Sequence, residues 1–142
     1  MCFIIQSWIT GNSKQKIAKK DIICYKVLKE DFSNPRILRG AYQYEYIWSN
    51  LDDVSTLPVV HRAEFDFSKD AFGRNAIYSG LHSFSTIKVG LTELTDVWWS
   101  HEKLHLYEVI IPAGSEYYYN SKNKEYVSTK LIIQTDKLIQ IN

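Results

Sequence analysis

The alternation of apolar and polar residues in several short segments is the feature that most constrains this chain. Between residues 59 and 67 apolar side chains alternate with charged ones, and residues 104–111 and 126–133 show the same period of two. Successive side chains of a strand point to opposite faces, so this period predicts half-buried β-strands. An aromatic content of 14% also favours sheet over helix.

Further strands are predicted where strand-forming residues cluster between turn signals. Residues 22–28 read IICYKVL, residues 77–84 form a short segment interrupted by Gly80, and tyrosines occupy every second position in residues 42–46. A turn is expected at residues 112–115, where the sequence is PAGS. The side of this segment that carries Tyr42, Tyr44 and Tyr46 either packs in the core or forms a binding surface.

One segment has the period of a helix. Its apolar residues are spaced four, three and four apart and lie on one helical stripe. They are Ile87, Leu91, Leu94 and Trp98. With Ser85 or Thr86 as the N-cap, this pattern predicts one principal helix over about residues 86–100, weakened by Gly90. The expected class is α+β, mainly antiparallel sheet, in a single domain over residues 1–142.

Charge and targeting signals indicate the cellular compartment and the kinds of partner to expect. A net charge of +1 shows no nucleic-acid signature, because phosphate binding takes a concentrated excess of Lys and Arg. The start of the chain lacks a secretory signal, and no apolar stretch is long enough to cross a bilayer. Two cysteines are too few for a disulfide framework and fit a reducing compartment. We expect a cytoplasmic protein with no membrane partner.

Motifs for metal binding and catalysis are missing from the sequence. Its four histidines come without the spacing of a zinc site, so no metal is expected. There is no phosphate-binding loop, dinucleotide-binding glycine motif or nucleophile elbow. His82 and Ser83 are adjacent, but on a strand they would point to opposite faces. We therefore expect a binding protein rather than an enzyme, with no cofactor.

Several polar and aromatic residues near strand ends are candidates for binding a small anionic ligand. Lysine supplies charge-assisted hydrogen bonds to an anion, and tyrosine supplies rigid contact area with a polar tip. The candidate ligand-binding residues are Tyr25, Lys26, His82, Ser83, Tyr118, Ser128 and Lys130. Lys130 alternates with Ser128 and Tyr126, so these three are expected on one face, with Val127, Thr129 and Leu131 facing the core. The segment 80–86 is expected to approach the hairpin 117–130.

Three segments, DIICYKVL at 21–28, GLHSFST at 80–86 and the run from Val109 to Ile133, resemble small uncharacterised proteins of phages and of bacteria that carry them. The resemblance covers somewhat under a third of the chain. It implies a viral or mobile-element origin and action in the host cytoplasm. In that setting the binding protein would inhibit host defence, either by sequestering a nucleotide-type signal or by binding a host protein. A homo-oligomer acting in assembly is a further alternative.

A second, partial pattern is similar to that of the ADP-ribosyltransferases. Lys26, after Tyr25, stands where that family has a basic strand residue, Ser85-Thr86 where it has a hydroxyl-bearing strand, and Glu125 where it has its catalytic glutamate. This resemblance implies an alternative function as an NAD-dependent enzyme. Glu125 would then be catalytic, Ser85 would support the NAD pocket, and NAD would be the cofactor.

Overall fold

The strands of this chain form a mainly antiparallel sheet, as its alternating segments predict. The computed structural model describes residues 3–4, 6–7, 11–12, 15–34, 36–40, 47–50, 59–69, 75–96, 104–121 and 123–141. Within them the strands are β1 (Phe3–Ile4), β2 (Gln6–Ser7), β3 (Gly11–Asn12), β4 (Lys16–Ile17), β5 (Ile22–Glu30), β6 (Ile37–Gly40), β7 (Ile47–Asn50), β8 (Val59–Arg62), β9 (Asp66–Lys69), β10 (Asn75–Ser79), β11 (Leu81–Phe84), β12 (Leu104–Ile111), β13 (Glu116–Asn120), β14 (Glu125–Ser128) and β15 (Lys130–Ile141). One short helix, α1 (Ile87–Asp96), lies between β11 and β12.

The main sheet closes on itself. Its strand order is β4-β13-β14-β11-β5-β12-β15-β8. Strands β14 and β15 are parts of one segment separated only by Thr129, so the path β14-β11-β5-β12-β15 begins and ends on the same stretch of chain. A sheet closed in this way has an inner face, which holds the core, and an outer face.

The inner face carries the largest group of buried side chains. It includes Cys24, Leu28, Val109, Leu131 and Ile133, with relative exposures of 0%. Their positions alternate along β5, β12 and β15, as strands with one face in the core require. Apolar alternation along these strands thus decides which side chains enter the core.

Two smaller layers cover parts of the outer face. Helix α1 lies over a cluster formed by Val27, Leu104 and Leu106. A sheet of β1, β10 and β9 contributes Ile77, which packs with Tyr118 and Val127. β10 and β11 are separated at Gly80, where φ is +145° and an added Cβ would lie 2.5 Å from Val127 Cγ2. Here the interruption predicted at a glycine is confirmed, because other residues rarely adopt that backbone conformation.

The apolar stripe predicted for the helix is exposed at two of its positions. Thr86 caps it, since Val89 N donates to Thr86 Oγ1 at 3.2 Å. Ile87 and Leu91 are 40% and 38% exposed, so the predicted stripe does not face the core at these positions. The helix instead buries Gly90 against Leu106. Because Gly90 has no side chain, α1 approaches the sheet closely there. Residues 97–100, the end of the predicted helix, lie outside the described residues.

Two predicted strands are interrupted. Residues 59–67 were expected to form one strand, but β8 ends at Arg62 and β9 begins at Asp66. The strand predicted at 126–133 is divided at Thr129, whose N donates to Glu116 O while its O accepts from Ala63 N. Through these hydrogen bonds Thr129 leaves the regular backbone pairing that its neighbours form. The tyrosine strand predicted at residues 42–46 lies outside the described residues.

Candidate functional site

A buried polar cluster lies on the outer face of the sheet, where β11 pairs with β14. His82 Nδ1 lies 2.7 Å from Glu125 Oε1, and the two side chains are only 16% and 6% exposed. Register explains the contact: Phe84 pairs with Glu125, and His82 pairs with the next residue of β14 on the same face, Val127. Paired residues share a face of the sheet, so the imidazole and the carboxylate meet diagonally.

Lys26 joins this cluster at a fork in the sheet. β12 occupies one edge of β5, whereas the other edge is shared by β11, at Tyr25, and β6, at residues 28–30. Lys26 lies between those two pairings, and its Nζ donates to His82 O at 2.6 Å. Burial lowers the pKa of Lys26 to about 8, and the Glu125 carboxylate opposes that shift. β11 diverges from β5 at this point. The Lys26 ammonium therefore binds the His82 carbonyl in place of a backbone donor from β5.

The cluster has the carboxylate–imidazole contact of a general base, but its second imidazole nitrogen is buried. A carboxylate that contacts one imidazole nitrogen is the arrangement that orients a catalytic histidine. Here the other nitrogen, His82 Nε2, is buried and has no hydrogen-bond partner among the described residues. Ser83, the neighbouring hydroxyl, points to the inner face, as the strand pattern predicts. The described residues contain no group of three or more His, Cys, Asp or Glu placed to hold a metal.

On the inner face, Ser83 lies close to the buried Cys24. Burial raises the pKa of the Cys24 thiol to about 11, and the Ser83 hydroxyl partly offsets the rise. The Ser83 Oγ itself finds no hydrogen-bond partner of good geometry in the described part of the chain. Both groups are enclosed, with exposures of 0% and 1%, so neither is available to a ligand in this structure.

Three half-buried tyrosines form an aromatic cluster on the same inner face. The ring centroids of Tyr119 and Tyr126 are 4.7 Å apart, and those of Tyr117 and Tyr126 are 5.9 Å apart. Ser85 Oγ lies 3.3 Å from Tyr119 OH. Burial raises the pKa of the Tyr126 hydroxyl, with a smaller contribution from Tyr119. These rings pack against one another on the inner face of the sheet and do not extend from a flexible binding loop.

Three other predicted binding residues have structural contacts. Tyr25 is partly buried against the Val27 cluster under the helix. Tyr118 packs edge-on to Phe65, with centroids 5.4 Å apart, and donates to Gln15 Oε1. Ser128 is fully buried, and its hydroxyl donates to Lys130 O at 2.9 Å. Their side chains stabilise the sheet and do not converge on one opening.

Lys130 does not share the face of Tyr126 and Ser128, contrary to the sequence prediction. The interruption at Thr129 changes which positions point inward, so that Tyr126 and Leu131 both belong to the core cluster. Lys130 consequently faces outward and lines a surface groove of about 580 Å³. The groove residues are Arg62, Ala63, Glu64, Gly114, Glu116, Thr129 and Lys130.

Arg62 is the second cation of this groove, and the binding residues predicted from the sequence did not include it. It pairs directly with Lys130 across β8 and β15. No ion pair joins either cation to a described carboxylate. The sequence places Arg62 on the polar side of an alternating strand, but it gives no sign of which cation lies opposite. Only the register between β8 and β15 brings the two charges together.

The residues of the alternative, ADP-ribosyltransferase-like pattern do not converge. Glu125 is on the outer face in contact with His82, whereas Ser85 contacts Tyr119 on the inner face. Lys26 does interact electrostatically with Glu125. The Glu125 carboxylate is nonetheless enclosed rather than exposed on a cleft.

Comparisons with known proteins add no relative. No protein-family model, no curated protein and no solved structure matches this chain. Within the residues that the structure describes, no helix is both long and apolar enough to cross a bilayer.

Proposed function

We propose that this chain is a non-enzymatic binding protein of phage or mobile-element origin that captures a small anionic ligand in the groove beside Arg62 and Lys130. In its cellular role it would inhibit host defence by sequestering a nucleotide-type signal. It would act in the cytoplasm, that of the host if the protein is viral. The proposed class is α+β, with α1 as the principal helix.

The direct pairing of Lys130 with Arg62 is the observation that supports this proposal. Like charges at opposite positions of adjacent strands destabilise a sheet. Neither cation has a described carboxylate within ion-pair distance to offset that repulsion. An anion bound between them would do so, because a guanidinium and an ammonium both donate strong hydrogen bonds to phosphate oxygens.

The rest of the groove favours a nucleotide over a simple anion. Its volume of about 580 Å³ falls within the range of small-molecule sites. Glu64 and Glu116 line it with the two cations, so the formal charge of these four side chains sums to zero. A nucleotide offers phosphate oxygens to the cations and ribose hydroxyl or amino donors to the carboxylates. Inorganic phosphate offers few donors, and the carboxylates would repel it.

Ligand binding is tested with the purified protein by thermal shift and isothermal titration calorimetry. The panel contains NAD, ADP-ribose, cyclic oligonucleotides, their linear products and inorganic phosphate. A ligand that binds only the folded state raises the melting temperature. We expect one nucleotide class to stabilise the protein, less so at high salt because screening weakens exposed charge contacts.

Matched variants assign the site. Arg62→Gln and Lys130→Gln should each weaken binding by about tenfold or more, the loss expected from one charge-assisted hydrogen bond. Lys88→Gln removes an exposed cation on α1, away from the groove, and should leave affinity unchanged. No stabilisation by any nucleotide would overturn the sequestration proposal and leave a host protein as the target. Equal affinity in all three variants would rule out this groove.

The alternative of an NAD-dependent enzyme is tested in the same preparation. It requires NAD consumption that Glu125→Gln abolishes and Lys88→Gln preserves. We expect neither NAD consumption nor transfer of ADP-ribose to host proteins, because the Glu125 carboxylate is buried against His82. Turnover that depends on Glu125 would replace the binding proposal.

A further inference from the structure

The two carboxylates of the groove lie beside its cations without pairing with them. Glu64 and Glu116 line the groove together with Arg62 and Lys130, and both glutamates are exposed. Within the described part of the chain, neither carboxylate accepts a hydrogen bond or forms an ion pair. Two acidic and two basic side chains are therefore available to a ligand that offers both hydrogen-bond acceptors and donors.

Glu64 lies two residues from Arg62 on the same side of the chain. Ala63, between them, packs against the core, and its N donates to Thr129 O at 2.9 Å. Because side chains alternate along extended backbone, the neighbours of an inward residue both point outward. At about 3.3 Å per residue, the Cα atoms of Arg62 and Glu64 are about 6.6 Å apart. Glu64 thus stands one outward position along from the paired cations.

Glu116 lies on the other side of Thr129. Its carbonyl accepts from Thr129 N at 3.0 Å, whereas Ala63 bonds to the carbonyl of the same threonine. The segments that carry the two glutamates are therefore two strand spacings apart, or about 9.6 Å. Burial raises the pKa of the Tyr118 hydroxyl, and the Glu116 carboxylate adds to that rise. The charge of Glu116 thus acts toward Tyr118, further along β13.

A ribonucleotide carries hydrogen-bond donors close to its phosphate. The 2′- and 3′-hydroxyls are one sugar ring away from the 5′-phosphate, a separation similar to the step from Arg62 to Glu64. The two oxygens of one carboxylate can accept hydrogen bonds from both hydroxyls. An acidic side chain plays this part for the ribose in many dinucleotide sites. A 2′-deoxyribose lacks one of the two donors.

We propose that the groove is selective for ribonucleotides, with Glu64 accepting hydrogen bonds from the ribose hydroxyls while Arg62 and Lys130 bind the phosphate. This inference rests on the proposed function and adds the class of sugar to it. The Glu64 carboxylate repels a phosphate, and the ribose hydroxyls offset that repulsion. A deoxyribonucleotide keeps the repulsion and loses a hydrogen bond, so Glu64 provides specificity through an unfavourable contact as well as a favourable one.

Selection at the sugar bears on the proposed role in the cell. Ribonucleotides and deoxyribonucleotides carry the same phosphate, so Arg62 and Lys130 alone would bind both. A groove with Glu64 would capture signals built from ribonucleotides and leave deoxyribonucleotides free.

The test is calorimetric titration of the full chain with the four ribonucleoside 5′-monophosphates and their 2′-deoxy counterparts. At least one ribonucleotide should bind about tenfold or more tightly than its deoxy form, the loss expected from one hydrogen bond to a charged group. Glu64→Ala should weaken binding of that ribonucleotide and strengthen binding of the deoxy form. These opposite changes follow because the substitution removes the acceptor and the repulsion together, whereas damage to the fold would weaken both ligands.

Two matched variants locate the effect. Glu116→Ala removes the other exposed carboxylate of the groove and should keep the preference for ribose. Glu108→Ala removes a partly exposed carboxylate that does not line the groove, and it should leave both affinities unchanged. Circular dichroism of each variant verifies folding.

The outcomes separate this inference from the proposed function. Equal binding of the two sugars, or a ribose preference that survives Glu64→Ala, would overturn the inference and leave nucleotide capture standing. A preference that Glu116→Ala abolishes would equally overturn the role of Glu64. Absence of binding by every mononucleotide would also overturn it, whereas capture itself fails only if the wider nucleotide panel does not stabilise the protein.

Discussion

His82 Nδ1 and Glu125 Oε1 lie 2.7 Å apart on the outer face of the sheet, and Lys26 donates to the carbonyl of the same histidine. This cluster stands where β11 leaves β5 and continues with β14. The Lys26 hydrogen bond therefore links β5 to β11 beyond their backbone pairing at Tyr25 and Phe84. The His82–Glu125 contact reinforces the pairing of β11 with β14. We regard the cluster as the polar element that holds the fork in place.

The His82–Glu125 contact should stabilise the fold. Glu125→Ala leaves the buried Nδ1 without its partner, and a lost hydrogen bond of this kind costs about 1–3 kcal/mol of unfolding free energy. Urea denaturation monitored by tryptophan fluorescence measures the loss. The exposed Glu64→Ala should change stability by less than about 0.5 kcal/mol. Equal stability of the two variants would show that the cluster contributes nothing.

Lys26 should make stability depend on pH in the alkaline range. Its pKa is about 8 in the folded protein, against 10.5 for an ordinary lysine, so between these values the unfolded state holds more protons. The unfolding free energy of the wild type should therefore rise with pH relative to Lys26→Met, by at most about 1.4 kcal/mol per pH unit. Denaturation of both proteins at several pH values measures the difference.

Comparison with Lys26→Met is needed because Cys24 acts in the opposite direction. Its thiol pKa is raised from 9.0 to about 11, so the folded state keeps this proton longer and stability falls as pH rises through that range. Both proteins contain Cys24, so the effect of burial on its thiol cancels in the difference and only the smaller charge coupling between Cys24 and Lys26 remains. A difference that stays constant from pH 8 to 10 would contradict the shift at Lys26.

Asp31 should protect the fold in acid. The Ser33 hydroxyl and the Arg39 guanidinium, whose Nε lies 2.5 Å from Oδ1, hold the pKa of this carboxyl far below its usual value of 3.8. A depressed folded pKa stabilises the protein above the unfolded pKa, and this stability is lost as pH falls through the folded value. The wild type should thus lose more stability than Asp31→Asn between pH 5 and 2. Parallel acid profiles would contradict this expectation.

Gly90 should resist replacement despite its place in a helix. Alanine has the higher helix propensity by about 1 kcal/mol, but its Cβ would lie 2.6 Å from Cδ1 of the fully buried Leu106. We expect Gly90→Ala to lower the melting temperature. Adding Leu106→Val, which shortens the opposing side chain, should recover part of the loss relative to Leu106→Val alone. A stabilised single variant would show that α1 shifts freely over the sheet.

Local patterns account for much of what could be predicted. The strand at 104–111, the turn at 112–115, the interruption at Gly80 and the cap at Thr86 all follow from neighbouring residues. Such features depend on backbone conformation and alternation within a few positions. Ile87 and Leu91 are more exposed than an apolar stripe would suggest, because α1 approaches the sheet at Gly90, which has no side chain.

By itself, the sequence determined the mainly antiparallel sheet, since the alternation of apolar and polar residues indicates which side of each strand is apolar. Only the tertiary structure decided which polar residues meet. Thr129 changes the inward-facing positions of its strand and moves Lys130 beside Arg62, while the registers of β11 and β14 bring His82 to Glu125. These pairings join residues far apart in the chain, and no local pattern encodes a register between distant strands.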